Sequence, residues 1–389
     1  MTSIRSVLVA PQTLSCRAGP GIQAGASSGP PDWIAGQARS DRGRIEVLDA
    51  DQACARAGLR TDAAPALAQA LRRAGAPAVL VVADDQAPWL ASTHASGSIS
   101  AALSDRSAAH VDVSTFAGRW THFLAQGFVP ADAALLAVAT DDGPLPAFTW
   151  NEVPPVPVDA RIPVAGLYAI VDTVARLRQV LDAGITLVQL RIKQPRDADA
   201  AWFQALRSSL RVGLAASRGA GATLVVNDHW RVAAELGAPA VHLGQEDLGH
   251  MTGEAFLALA ATGMALGVSS HAVWELCRAR TLAPAYIACG PVWPTTTKDM
   301  PWRPQGLDNL AWWCRHAQRP VAAIGGILEA SQVREAARAG ADTVCIVRGL
   351  GDDPRHIVPA LQGAFAQGQA ERAAAAVPQW PHPSLEAAA

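Results

Sequence analysis

Residues 186 to 194 read TLVQLRIKQ, and within them Gln189, Arg191 and Lys193 alternate with Val188, Leu190 and Ile192. A strand has a side-chain period of two, so an amide, a guanidinium and an ammonium share one face and three apolar side chains the other. Buried cations without partners are costly, so such a face calls for an anionic ligand. A phosphate suits both: Arg offers a planar fork of donors and Lys a compact charge. Further along stand Asn227 and Asp228, then Gln245, Glu246 and Asp247, then Ser269 and His271, then the stretch GPVWPTTTKDMPWRPQG from 290 to 306, and the pair Gly325-Gly326. Taken singly, Asp228 reads as a helix cap before HWRVAAELG and Asp247 as a loop residue. Taken together at neighbouring strand ends, two carboxylates have the composition of a Mg²⁺ site, which phosphate oxygens complete. His229 and His271 have no Cys or His partner at metal spacing and read as non-ligands. The glycine pair suits a phosphate held by backbone amides. There is no Ser-His-Asp set and no Cys-His pair with an orienting group. The chemistry implied is stabilisation of charge on a leaving phosphate.

These residues need elements to hold them. From residue 166 onward, apolar stretches recur every ~20 to 40 residues with helical patterns between them, as in βα units on a parallel sheet. Eight are legible: GLYAIV at 166, TLVQLR at 186, TLVVND at 223, AVHLG at 240, ALGVS at 265, YIACGP at 286, VAAIGG at 321 and TVCIV at 343. Gly184, Gly237 and Gly340 stand where three of the helices must stop before a strand. The fold class is α/β, a (β/α)₈ TIM barrel preceded by a smaller α/β domain. An open doubly wound sheet is second, because no GxGxxG follows the first strand. In a barrel the candidate residues all fall at the C-terminal strand ends, where active sites lie. Val188, Leu190 and Ile192 then face the helices as core. The Pro- and Trp-rich segment from Pro291 to Gly306 has the length of a lid.

Six motifs in register, QLRIK, VNDHW, VHLGQED, LGVSSH, GPVWPTTTK followed by QG, and AIGGI, make residues 166 to about 365 resemble thiamine phosphate synthase. The resemblance implies a Mg²⁺-dependent enzyme joining hydroxymethylpyrimidine pyrophosphate to a thiazole phosphate, with release of pyrophosphate. It implies Asp228 and Asp247 as metal ligands. Gln189, Arg191, Lys193, Asn227, Ser269 and Lys298 would contact the pyrimidine pyrophosphate, with Lys193, Ser269 and Lys298 as the catalytic set. Thr295, Thr297 and Gly326 would hold the thiazole phosphate. Two departures stand out: Thr296 replaces an acidic residue usual between the two threonines, and Arg348 replaces a small residue near the eighth strand. Arg348 either adds a phosphate contact or points outward. Two alternatives stay open, a thiazole tautomerase of the same fold and a non-catalytic binder of thiamine precursors. The intact Lys193, Asp228, Asp247 and Lys298 argue against both.

The expected domains are a small α/β unit at 1–142, a linker at 143–164 carrying six prolines, the barrel at 165–366 and a disordered tail at 367–389. In the first unit APAVLVVADD reads as a strand, DAAPALAQALRRAG and PADAALLAVAT as helices. GPGIQAG at 19–25 and HVDVSTFAGRWTHFLAQG at 110–127 resemble hydroxymethylpyrimidine kinases. Val111 and Val113 replace glycines of that family's anion hole and Ser114 its catalytic Cys or Asp, so a non-catalytic remnant is expected. The net charge of −2 excludes a basic field for nucleic acid. No run of about 18 apolar residues suggests a membrane span. The six cysteines are scattered without CxxC spacing, as in a reduced cytoplasmic protein. The partners expected are the small-molecule substrates, and the chain is compatible with a homo-oligomer.

Overall fold

The eight apolar stretches close into one barrel. The computed structural model describes residues 46–48, 50–57, 63–83, 86–100, 113–140, 143–150, 152–153, 156–295, 301–372 and 377–385. Two compact units divide at Glu152/Val153.

In the first unit, five strands lie in the order β1 (Glu46–Leu48), β2 (Ala78–Ala83), β3 (Gln86–Ser92), β4 (Ser96–Ser100) and β5 (Ala147–Phe148). β1 runs parallel to β2 and the remaining pairs are antiparallel. Helices α1 (Ala50–Ala57), α2 (Ala64–Arg73), α3 (Val113–Ala125) and α4 (Pro130–Val138) complete it. Leu67, Ala68 and Leu71 of α2 meet Val79, Val81 and Trp89 of the sheet in one core cluster. Residues 19–25 and 110–112 lie outside the described residues, as do the side chains of Val113 and Ser114, and with them most of the kinase-like stretches.

In the second unit the strands are β6 (Gly166–Val171), β7 (Leu187–Leu190), β8 (Thr223–Asn227), β9 (Ala240–Leu243), β10 (Ala265–Ser270), β11 (Tyr286–Cys289), β12 (Val321–Ala323) and β13 (Thr343–Ile346). All neighbours are parallel, and β13 pairs with β6 to close the ring. The connecting helices are α5 (Val174–Asp182), α6 (Ala200–Gly219), α7 (Trp230–Glu235), α8 (Gln245–Gly249), α9 (Gly253–Ala261), α10 (Val273–Thr281), α11 (Gly306–His316), α12 (Ala330–Arg338) and α13 (Pro354–Ala370). Gly184, Gly237 and Gly340 take φ of +87°, +64° and +114°, the left-handed conformation that stops a helix. No helix among the described residues is long and apolar enough to cross a membrane.

The alternation on β7 resolves into two levels. Leu187 points inward with Tyr168, Ile170, Val225, Ala240, Ala265, Tyr286, Ala288, Ala322 and Cys345, and these fill the barrel interior. Gln189, two residues on, is inward and 2% exposed. Val188 and Leu190 face the helices and are buried, and Leu190 reaches within 3.2 Å of the Cβ position of Gly213 on α6. The strand stops at Leu190, so three expectations need correction. Ile192 is only half-buried and not core, Arg191 is half-buried, and Lys193 is exposed. The cations lie on the rim, where solvent reaches them.

The domain limits also differ. Phe148 and Ala147 of the expected linker pair with Ile99 and Ser100 as strand β5. Ala160, Ile162 and Val164 pack onto the barrel's interior cluster, so they belong to the barrel. The expected disordered tail instead continues α13 to Ala370, and Ser384 and Leu385 are buried. Apolar and hydrogen-bonding side chains among the prolines give these segments surfaces to dock.

Leu190→Ala leaves a cavity between β7 and α6 and is expected to cost about 2 to 5 kcal/mol. Lys193→Met removes a solvent-exposed ion pair and is expected to stay within about 1 kcal/mol of the parent. Denaturant titration of the two variants checks both.

Candidate active site

The site residues ride on strand ends. Asn227 ends β8 and is 4% exposed, with its Nδ2 buried and lacking a hydrogen-bond partner. Asp228 follows with φ +61°, a left-handed conformation that Asp tolerates better than most residues. Its backbone is held there: its amide donates to the His242 carbonyl at 3.0 Å, and its carbonyl accepts from the Trp230 amide at 2.8 Å. Asp228 therefore does not cap α7, whose first turn has no side-chain cap. Its Oδ2 takes Lys193 Nζ at 3.1 Å instead.

Asp247 sits in the single turn α8 rather than in a loop, and its Oδ2 accepts the Gly244 amide at 3.1 Å. The residue is solvent-exposed, yet its carboxyl is half enclosed. That partial burial, and after it the Asp228 carboxylate, push its pKa above the ordinary value, against the Gly244 amide and Lys193. Two carboxylates that repel each other at neighbouring strand ends of the barrel mouth are a fitting pair for a divalent cation, which relieves the repulsion. Among the described residues no group of three or more His, Cys, Asp or Glu side chains is placed to hold a metal. The pair needs oxygens from a ligand to complete a coordination shell.

Beneath the rim runs a chain of side chains. Gln189 Nε2 donates to Tyr168 Oη at 2.8 Å, and Tyr168 Oη meets Tyr286 Oη at 2.7 Å. Tyr286 Oη lies 3.0 Å from His242 Nδ1, and His242 Nε2 lies 2.9 Å from Ser269 Oγ. The Tyr286 ring is admitted by Gly267, where a Cβ would lie 2.1 Å from its Cζ. Burial raises the pKa of both phenols and lowers that of His242 to about 4, so the imidazole is neutral. Asp228 opposes that lowering, while His271, Arg191 and Lys193 add to it, so all four act on the same ring. Gln245 Nε2 donates to the Ser269 carbonyl at 2.7 Å, while Gln245 Oε1 is buried and unpartnered. His271 binds Glu275 Oε2 through Nδ1 at 2.8 Å and stacks on Trp302 at 5.2 Å.

On the other side of the mouth the loop after β11 lies along β12. The amides of Val292 and Trp293 donate to the carbonyls of Ile324 and Gly325 at 2.8 and 3.0 Å. Gly325 and Gly326 are required there: a Cβ on the first would meet Pro291 Cα at 2.6 Å, and on the second Trp293 Cβ at 2.6 Å. Thr295 is half-buried. Thr297 and Lys298 lie outside the described residues, as does the middle of the expected lid at 296–300. Arg348 is exposed, in a 3₁₀ turn spanning Arg348–Leu350.

The mouth thus gathers Gln189, Arg191, Lys193, Asn227, Asp228, Asp247 and Ser269, with Gly326 on the β12 side. Sequence reading missed His242, Tyr168 and Tyr286. The two tyrosines, the only ones in the chain, stand at inward strand positions, and that coincidence was the available signal.

A closed parallel barrel with cations, paired carboxylates and unpartnered amides at its C-terminal mouth defines a class, the barrels that bind phosphorylated substrates. The family described as thiamine monophosphate synthase matches residues 167–350. A thiamine-phosphate synthase of Neisseria meningitidis serogroup A is 41% identical over 201 residues, which are 51% of this chain and 93% of that protein. One from Rhizobium etli is 39% identical over 188 residues, 48% of this chain and 87% of that protein. A solved thiamine phosphate pyrophosphorylase from Pyrococcus furiosus aligns with TM-score 0.45 at 24% identity, over 53% of this chain and 96% of that one. The chain belongs to the thiamine-phosphate synthase family.

The neutral imidazole has a pH consequence. The folded pKa of His242, about 4, lies below its ordinary 6.5. The stability it contributes is fully present above pH 6.5 and is lost as the pH falls towards 4. His316, lowered to about 4 by burial, Arg315 and Arg280, acts with the same sign. Denaturation at pH 7 and pH 5 should therefore show a loss that His242→Gln reduces by about 2 kcal/mol. An unchanged difference between the two pH values would place the proton elsewhere.

Proposed function

We propose that the barrel couples a hydroxymethylpyrimidine pyrophosphate to a thiazole phosphate, giving thiamine phosphate and pyrophosphate. One observation carries the reading: a carboxylate pair, Asp228 and Asp247, faces rim cations beside a buried amide donor, Asn227 Nδ2, that has no partner of its own. A tautomerase would have no pyrophosphate for Lys193, Asp228 and Asp247 to hold.

The pyrophosphate sits at the rim. Arg191 and Lys193 donate to its oxygens, Lys193 turning from Asp228 to do so. Asp228 and Asp247 would hold Mg²⁺, which would supply neutralisation of charge on the leaving group. Asn227 Nδ2 and Ser269 Oγ, the latter held by His242, orient the pyrimidine. The C–O bond to pyrophosphate breaks with its electron pair leaving on oxygen, and the thiazole nitrogen lone pair forms the new C–N bond. No proton changes hands in this step, so it requires no general base. The backbone around Gly326 and Thr295 takes the thiazole phosphate; by the family's motif Thr297 is assigned to the same phosphate and Lys298 to the pyrophosphate. The first unit is a non-catalytic remnant in this reading.

Asp228→Asn and Asp247→Asn should each reduce kcat/KM at least about a hundredfold, since loss of a metal ligand removes several kcal/mol of charge stabilisation. Thiamine phosphate formation from the two precursors, with and without EDTA, measures this. Full activity in both variants would remove the metal assignment.

A chain of residues 153–389 should fold and retain turnover, and the full chain should show no ATP-dependent phosphorylation of hydroxymethylpyrimidine. Kinase activity in the full chain would overturn the remnant.

A further inference from the structure

The described C-terminal segment, residues 377–385, lies beyond the residues matched by the family. It nevertheless docks against the elements that frame the mouth. Gln305 and Asn309, both fully buried at the start of α11, receive it. The His382 amide donates to Asn309 Oδ1 at 2.8 Å, and Asn309 Nδ2 donates back to the His382 carbonyl at 3.0 Å. One side-chain amide thus pairs with both backbone groups of one residue. His382 Nε2 donates to the Gln305 carbonyl at 2.9 Å; a carbonyl only accepts, so this nitrogen carries the proton. Ser384, 2% exposed, donates from Oγ to Gln305 Oε1 at 3.2 Å, and its carbonyl accepts the Arg303 amide at 2.8 Å. Trp312 Nε1 donates to the Gln379 carbonyl at 3.2 Å. Pro381 and Pro383 flank His382 and restrict the chain to extended conformations, so little entropy is lost on docking.

The contacts converge on Gln305. Its Oε1 takes Ser384 Oγ and also Asn309 Nδ2 at 2.8 Å, which fixes the amide's orientation. Its Nε2 is left aimed at the His271 carbonyl, 2.7 Å away. His271 follows β10 directly, two residues after Ser269. Its ring stacks on Trp302, next to the strap's partner Arg303. The Gln305 and Gly306 amides donate to the carbonyls of Pro291 and Val292 at 2.7 and 2.9 Å, which ties this leg of the loop to the end of β11.

We infer that residues 377–385 are a strap that positions the outgoing end of β10, and with it Ser269, through Gln305. His382 is a positioning residue, since it touches Gln305 and Asn309 and not the substrate. The kinetic consequence rests on the synthase reading above; the placement of the strap does not.

Three proteins test it: His382→Ala, His382→Gln, whose amide keeps a donor at the reach of Nε2, and the chain ending at Ala376. Hydrogen exchange is followed in peptides covering 269–272 and 301–306. These amides should exchange about tenfold or more faster in the shortened chain, where the Arg303 amide loses the Ser384 carbonyl and Gln305 loses both Ser384 and His382, and also in His382→Ala, where losing the Nε2 bond to the Gln305 carbonyl lets the segment open more often. Peptides from β6 and β7 should not change. KM for the pyrimidine pyrophosphate should rise about tenfold with kcat within about threefold, as for lost ground-state positioning. His382→Gln should restore both. Parental exchange at 269–272 and 301–306 in His382→Ala would overturn the strap, and so would unchanged KM in an active shortened chain. If the shortened chain does not fold, the Ala and Gln variants decide. If the parent forms no thiamine phosphate, the synthase reading fails and the exchange pattern alone judges the strap.

Discussion

The site depends on the narrowness of a closed eight-stranded parallel barrel. Every second side chain points into a space just wide enough to be filled, so each inward position is either packed or hydrogen-bonded. Apolar side chains such as Leu187, Val225, Ala240 and Ala265 fill much of it. The polar groups set among them each need a partner or a ligand. Gln189, Tyr168, Tyr286, His242 and Ser269 satisfy one another in a single chain. Asn227 Nδ2 and Gln245 Oε1 lie outside that chain and keep their hydrogen-bonding capacity. The interior thus acts as a rigid floor under a mouth with spare polar capacity.

Local stability is given up around that mouth. Asp228 holds a left-handed backbone, which costs of order 1 to 3 kcal/mol for a non-glycine residue, and leaves α7 without a side-chain cap. The carboxylate is thereby turned towards Lys193. Asp247 sits where burial and a like charge raise its pKa. Such concessions are characteristic of positions shaped by ligand binding rather than by folding.

Much of this was legible in the sequence, because alternation and helix-stopping glycines are local signals. Seven of the eight barrel strands fall within the stretches read from apolar runs and β10 runs one residue beyond its own, to Ser270; β7 carries Gln189 on the inward face as its period requires. The departures have physical reasons. Periodicity says which way a residue points but not where a strand ends, so the alternation alone places Ile192 in the core and Lys193 on an enclosed face. Strand β3 contains Pro88, a poor strand signal; it is accommodated at the register shift between Val81 and Ala83, where one strand bulges. Strand β4, SGSIS, lacks apolar character. The partners of His242 are 27 and 44 residues away in sequence, a proximity that only the closed ring creates.

Strand β5 has a practical implication. Residues 147–148 lie in a proline-rich stretch that resembles a tether, yet they complete the first unit's sheet, with the Thr149 amide donating to the Ser98 carbonyl and the Ser98 amide donating to Thr149 Oγ1. Dividing the chain at residue 142 would strip β4 of its outer neighbour and leave a row of bare backbone donors and acceptors. Such an edge templates pairing with other chains. The first unit prepared without residues 147–149 would self-associate for a reason unrelated to its own stability, and a division at Glu152 avoids it.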